Sequence, residues 1–183
     1  MDRVNEIFKD YRGGRVAVVA HCILNQNSRV PGLAERSSII TEIVEFLQSH
    51  KIGIVQMPCP EMGYAGIHRK GQKRSYYDNS KFRRLCREIA EEIVDQIQEF
   101  SRGQIQTEMI IGLDGSPSCG VAEPSKVNSR QNSSRDKNRT GNGILIEELR
   151  STLKERNISV PFIGIKYETL PQDLAKMEEL LHG

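Results

Sequence analysis

The chain has 183 residues, of which 37% are hydrophobic and 27% are charged, and its formal net charge is +2. This length suits a single domain with a sizeable core, and we treat residues 1–183 as one α/β domain. The small net charge gives no argument for nucleic acid binding, and no apolar run approaches the roughly 18 residues of a transmembrane helix. The four cysteines lack zinc-finger spacing and no secretory leader is visible, so we expect a cytoplasmic protein with no membrane partner.

Strands and helices alternate along the sequence. Apolar runs predict strands at residues 15–20, 52–57, 104–111 and 160–165. Apolar residues at helical spacing predict helices at residues 34–50, 80–101, 143–156 and 170–181. The segment 125–143 is rich in Ser, Asn, Arg and Lys and predicts a mobile loop. The alternation predicts a three-layer αβα sandwich with a parallel, flavodoxin-like or Rossmann-like sheet of about four strands in the order 2-1-3-4.

Three of the four cysteines directly follow predicted strands. Cys22 follows the first strand, Cys59 the second and Cys119 the third. The carboxyl ends of parallel neighbouring strands meet at one edge of the sheet, so we expect the three thiols to converge on one crevice. Three thiols there suit an iron–sulfur cluster with one open iron, although buried loop thiols without metal fit the same spacing. Cys86 lies on the apolar stripe of a predicted helix, so we expect it to pack in the core like an ordinary apolar residue.

Polar residues accompany these cysteines. Glu61 lies two residues after Cys59, where a carboxylate is either a general acid or base or a solvated loop residue. Ser116 and Ser118 could orient a substrate or relay a proton, or could simply form the turn around their proline. A run of basic residues predicts either a basic rim that binds an anionic substrate or merely a solvated loop. The run consists of His68, Arg69, Lys70, Lys73 and Arg74.

Three motifs occur in order along this small α/β chain. They are Cys22-x6-Arg29-x2-Gly32, Cys59-Pro60-Glu61 and Gly115-Ser116-Pro117-Ser118-Cys119-Gly120. Together they resemble the motifs of the DUF523 proteins, the family that includes the bacterial thiouracil desulfidase. The resemblance spans roughly residues 15–155, and the combination of the second and third motifs is much more specific than either alone.

The resemblance implies a [4Fe-4S] cluster held by three cysteines, here Cys22, Cys59 and Cys119. The open iron would take the sulfur of a small thiolated substrate, a thiolated nucleobase or similar thiocarbonyl compound, and water would replace that sulfur without redox change. A cluster of this kind is oxygen-labile and can be lost in air. By position, Glu61 and either Ser116 or Ser118 would assist the reaction.

The loops that would contact the substrate depart from the family pattern. Asn25 stands where the family usually has glycine, and Ser28 to Gly32 replace its usual Cys-Arg-Tyr-Asp-Gly. Tyr64-Ala65-Gly66-Ile67-His68-Arg69 replaces a Gly-rich run that usually ends in Pro-Arg. We therefore expect a related desulfidase whose substrate need not be thiouracil, with a nucleotide-like ligand compatible with the basic rim. The substrate-binding residues are predicted to be Asn25, Arg29, His68 and Arg69.

Two other functions fit parts of the pattern. Cys119 in its Gly/Ser turn could be the nucleophile of a hydrolase, with His68 or His21 as its base. This alternative leaves Cys22 and Cys59 unexplained. A non-catalytic iron–sulfur module that senses or carries sulfur would keep the three cysteines and need no carboxylate.

Overall fold

A computed structural model describes residues 10–121 and 141–182 of the chain. Residues 125–140 of the predicted mobile loop lie outside this range. The strands are β1 (Arg15–Ala20), β2 (Gly53–Met57), β3 (Gln106–Leu113) and β4 (Phe162–Ile165). The helices are α1 (His21–Leu24), α2 (Thr41–Ser49), α3 (Pro60–Ala65), α4 (Arg74–Tyr77), α5 (Ser80–Arg102), α6 (Ile144–Glu155) and α7 (Leu170–His182).

The four strands form one parallel sheet in the order β2-β1-β3-β4. In the central strand, Val19 pairs with Gln56 of β2 on one side and with Ile111 of β3 on the other. Residues 17–20 of β1 are fully buried because helices cover both faces of the sheet. The predicted fold class and strand order are confirmed.

Side-chain pairs show which helices share a face. The long helix α5 packs along α6, with ion pairs such as Arg83–Glu147 at 3.1 Å. On the α2 side, His50 lies 3.1 Å from Glu178 of α7. Right-handed crossovers place α2, which leads to β2, on the opposite face from α5, which leads from β2 to β3. In the described part of the chain, no helix combines the length and apolarity needed to cross a bilayer.

The helix predicted over residues 34–50 is shorter than expected, because α2 begins only at Thr41. The preceding backbone bonds instead to the loop after β1. Ile40 N donates to Ile23 O at 2.8 Å, and Gln26 N donates to Ser38 O at 2.6 Å. These bonds use backbone groups that a longer helix would need, so the prediction for residues 34–40 is wrong. The short helices α1, α3 and α4 form within segments predicted as loops.

Helix α5 agrees closely with its predicted range of 80–101. Its apolar stripe buries Phe82, Ile93 and Cys86, each at 1% exposure or less, so the prediction that Cys86 is a core residue is confirmed. The helix begins directly after its N-cap residue Asn79, whose side-chain oxygen accepts a hydrogen bond from Phe82 N at 3.0 Å. The cap satisfies one of the backbone N–H groups that every helix start leaves without an intrahelical partner.

Replacing Asn79 with alanine removes this cap. We expect Asn79→Ala to lower the free energy of unfolding by about 1 kcal/mol, measured by urea denaturation. Asn79→Asp keeps an accepting oxygen and should stay close to the wild-type value. Equal stability of the alanine variant and the wild type would show that the cap contributes nothing.

Candidate active site at the carboxyl edge of the sheet

The three strand-end cysteines lie together at the carboxyl edge of the sheet. Cys22 is in α1 directly after β1, Cys59 precedes α3 after β2, and Cys119 lies in the turn after β3. Because β2, β1 and β3 are adjacent, the expected convergence follows from the strand order. Cys22 and Cys59 are partly buried, Cys119 is buried, and all four cysteines of the chain are free thiols.

Burial and mutual proximity determine the acidity of these thiols. Burial, with smaller contributions from the charges of Cys59 and Glu61, raises the pKa of Cys22 to about 12. Burial, followed by the charges of Cys22 and Cys59, raises the pKa of Cys119 well above its usual value. Burial also raises the pKa of Cys59. The thiols therefore keep their protons at neutral pH unless a cation compensates the thiolate charges.

Helix α3 fixes the position of Cys59. The thiol sulfur caps the helix by accepting a hydrogen bond from Met62 N at 3.4 Å, and Pro60 occupies the first turn, where it needs no donor. Arg69 Nη2 donates to the same sulfur at 3.8 Å. The sulfur is thus placed by backbone and side-chain donors together.

The turn that carries Cys119 is closed by its own polar groups. Asp114 Oδ1 accepts from Val121 N at 2.7 Å, and Ser116 Oγ accepts from Cys119 N at 3.1 Å. The carbonyl groups of the turn also cap α6, since Ser118 O accepts from Leu145 N at 2.9 Å. The backbone around Cys119 is therefore held by the strand before it and the helix after it.

Two glycines allow this turn to pack tightly. A Cβ atom on Gly112 would lie 2.1 Å from Cys119 O, and one on Gly143 would lie 2.2 Å from the carbonyl carbon of Ser118. Backbone atoms at such distances cannot move aside without displacing the turn. Only a residue without a side chain fits either position.

Glu61 is the centre of the polar contacts and is only 7% exposed. Its Oε1 accepts hydrogen bonds from Ser118 Oγ at 2.6 Å and from Ser116 Oγ at 3.1 Å. Its Oε2 lies 3.7 Å from Arg69 Nε. Ser118 Oγ is also 3.4 Å from Cys119 Sγ, so Ser118 links the carboxylate to a thiol. The structure brings both predicted serines and the predicted carboxylate together.

Arg69 differs from its prediction as a residue of the basic rim. It is only 7% exposed, and its guanidinium donates to Ser28 O at 2.8 Å and to Gly66 O at 3.3 Å. Of the other predicted rim residues, His68, Lys70 and Lys73 are exposed, whereas Arg74 is partly buried and pairs with Glu147 at 2.7 Å. Nothing in the basic run distinguishes Arg69 from its neighbours, so its burial beside Glu61 needed the structure.

The first loop places Arg29 beside the site. Its Nη1 donates to Tyr167 Oη at 3.2 Å, and its charge acts on the Cys22 thiol, whose pKa it lowers against the larger effect of burial. Gln26 Nε2 donates to Cys22 O at 2.5 Å, while Gln26 Oε1 accepts from Tyr167 Oη at 2.9 Å. Sequence reasoning missed Gln26 and Tyr167, which are separated by 141 positions. Asn25 is exposed, and its side chain caps the turn that follows it.

No imidazole supports the Cys119 nucleophile. His68 is exposed, and His21 Nδ1 bonds to Gln56 Nε2 at 2.7 Å. All four histidines lie in the described part of the chain, and none of them forms a hydrogen bond with Cys119 there. The described residues also contain no group of three His, Cys, Asp or Glu side chains arranged around a single metal ion.

The fold and site define a parallel α/β protein that gathers three thiols, one carboxylate and two hydroxyl groups at the carboxyl edge of its sheet. The chain is 34% identical over 170 residues to the uncharacterized protein MJ0003 of Methanocaldococcus jannaschii. The match covers 93% of this chain and 96% of that protein, so the chain belongs to the same family as MJ0003. No family model and no solved structure matches the chain.

The close contact at Gly143 gives a test of the Cys119 turn. We expect Gly143→Ala to lower the free energy of unfolding by about 1–3 kcal/mol, because the added methyl group meets backbone atoms. Gly141→Ala is the matched control, since a Cβ atom there meets no described residue within 4 Å. It should stay within about 0.5 kcal/mol of the wild type in the same urea titration. Similar values for the two variants would contradict the packing described for this turn.

Proposed function

We propose that this chain is a [4Fe-4S]-dependent desulfidase that removes sulfur from a thiolated nucleobase or a similar thiocarbonyl compound. The observation that carries the proposal is the convergence of three thiols with a buried carboxylate that holds two serine hydroxyls. We also propose that it acts in the cytoplasm, a reducing compartment that suits its four free thiols.

The donor set fits such a cluster. Cysteine thiolates are the usual ligands of iron in [4Fe-4S] clusters, and Cys22, Cys59 and Cys119 are close enough for their charges to interact. Each ligand of a cubane binds a different iron atom, so the donors need not surround one point. When bound, a cluster with three protein ligands would supply an open iron, a Lewis acid matched to a soft substrate sulfur.

The chain's own residues would accept a proton from water and orient the substrate. Glu61 Oε1 is occupied by the two serine hydroxyls, which leaves Oε2 to accept a proton from water. Ser118 would hold the carboxylate beside Cys119 and orient the substrate. The net reaction converts a thiocarbonyl group and water into a carbonyl group and hydrogen sulfide. The carbon exchanges its bond to sulfur for a bond to oxygen, both water protons leave with the sulfur, and no electrons are transferred.

The two alternatives have weaker support. A hydrolase nucleophile requires a thiolate beside a base, whereas Cys119 is 5% exposed, has a raised pKa and bonds to no imidazole. A sulfur carrier or sensor would use the same thiols. A carrier or sensor gives no role to the buried Glu61 carboxylate and its two serine donors beside the thiols.

Cysteine variants test the ligand set. We expect Cys22→Ser, Cys59→Ser and Cys119→Ser each to retain less iron per chain than the wild type after anaerobic reconstitution, because each removes a thiolate ligand. Cys86→Ser is the control, since Cys86 is fully buried on α5. Equal iron retention in all four variants would overturn the assignment of the ligands.

A carboxylate variant tests catalysis separately from cluster binding. Glu61→Gln should lower the rate of sulfide release from 2-thiouracil, 4-thiouracil or related thiolated compounds by roughly 100-fold or more, the usual effect of losing a general base. Its iron content should match that of the wild type. Glu45→Gln, an exposed residue of α2, is the control and should be unaffected. Unchanged release by Glu61→Gln would remove Glu61 from the mechanism, whereas a wild type that binds iron but releases no sulfide would favour the carrier or sensor.

A further inference from the structure

In the neighbourhood of Glu61, two buried polar atoms have no hydrogen-bond partner among the described residues. They are Tyr77 Oη and Arg69 Nε. Tyr77 is fully buried, and Arg69 is 7% exposed. Most buried polar groups in proteins bond to the protein or to ordered water, and an unpaired group is costly. Two such atoms in the same part of the molecule therefore call for a partner that the described residues do not supply.

Aromatic packing holds the Tyr77 ring between α3 and α5. Its ring lies 4.7 Å from that of Phe82 and 6.3 Å from that of Tyr64, measured between centroids. Tyr64 belongs to α3, the helix that carries Glu61. Burial, followed by the charge of Glu61, raises the pKa of Tyr77 to about 12, so its hydroxyl stays protonated and can donate at neutral pH.

Glu61 contributes the matching acceptor. Both serine hydroxyls donate to Oε1, whereas Oε2 accepts no hydrogen bond within the described residues. The charged Arg69 Nε lies 3.7 Å from Oε2, a separation too long for a hydrogen bond. The group therefore offers one free acceptor and two free donors. A buried water typically makes about three hydrogen bonds to otherwise unsatisfied groups.

We propose that Tyr77 Oη, Arg69 Nε and Glu61 Oε2 together bind one water molecule. We further infer, as a step that rests on the proposed function, that this water supplies the oxygen that replaces sulfur. Tyr77 is then a positioning residue. It acts on the reaction through the water.

The melting temperature of Tyr77→Phe distinguishes a hydroxyl that binds water from a hydroxyl that has no partner. If Tyr77 Oη is a true orphan, Tyr77→Phe removes an unsatisfied buried group and should raise the melting temperature. If the hydroxyl holds a water, the same variant loses a hydrogen bond and should not gain stability. Tyr76→Phe is the control, because Tyr76 is the neighbour of Tyr77 in α4 and is 51% exposed.

The experiment compares wild type, Tyr77→Phe and Tyr76→Phe by anaerobic crystallography, thermal unfolding, iron content and sulfide release from thiolated pyrimidines. We expect one water between the three atoms in the wild type and Tyr76→Phe, and its loss or displacement in Tyr77→Phe. The latter variant should keep its iron and its KM, while kcat falls by roughly 10- to 100-fold through misplacement of the water.

The outcomes separate this inference from the proposed function. Absence of the water in the wild type, or a higher melting temperature for Tyr77→Phe, would overturn the binding site. Unchanged kcat in Tyr77→Phe would overturn the positioning role and leave the desulfidase proposal intact. A bound water in a wild type that releases no sulfide from any compound would uphold the binding site and count against the proposed function.

Discussion

The hydrogen bonds from Ser116 and Ser118 to Glu61 join the two halves of the site. Glu61 belongs to the segment after β2, and the serines belong to the turn after β3, so these bonds span the end of the central strand β1. A buried carboxylate is tolerated only with such partners, because burial without them is costly. The bonds therefore fix Cys59 and Cys119 relative to each other, and Arg69, which follows α3, connects Glu61 to the loop after β1 through its hydrogen bond to Ser28 O.

Hydrogen bonds within the protein position the segments that carry Cys59 and Cys119. The Cys119 turn caps α6 with its carbonyl groups, and Cys59 caps α3 with its sulfur. A site on such supports loses little conformational freedom when it binds a ligand. The opposing requirement is electrostatic. Burial of three thiols favours their protonated forms, so a cationic partner must displace protons to bind.

Periodicity predicted the sheet because the four strands and their helices have strong, local apolar patterns. Strand order then implied that Cys22, Cys59 and Cys119 meet at one edge, and the structure brings them there. The contacts between distant segments could not be read in this way. The pairing of Gln26 with Tyr167 and the burial of Arg69 depend on how loops fold over the edge. The late start of α2 has the same origin, because backbone bonds to another loop override its helical pattern.

The central claim is that the three thiols hold an iron–sulfur cluster, and its most direct test is the metal content of the wild-type chain. Iron and acid-labile sulfide should be measured together with the visible absorption spectrum on protein prepared or reconstituted without oxygen. The account predicts about four iron and four sulfide per chain, the content of one cubane. Absence of iron under these conditions, with Cys119 still reactive toward an alkylating agent, would contradict the account and favour the cysteine-nucleophile alternative.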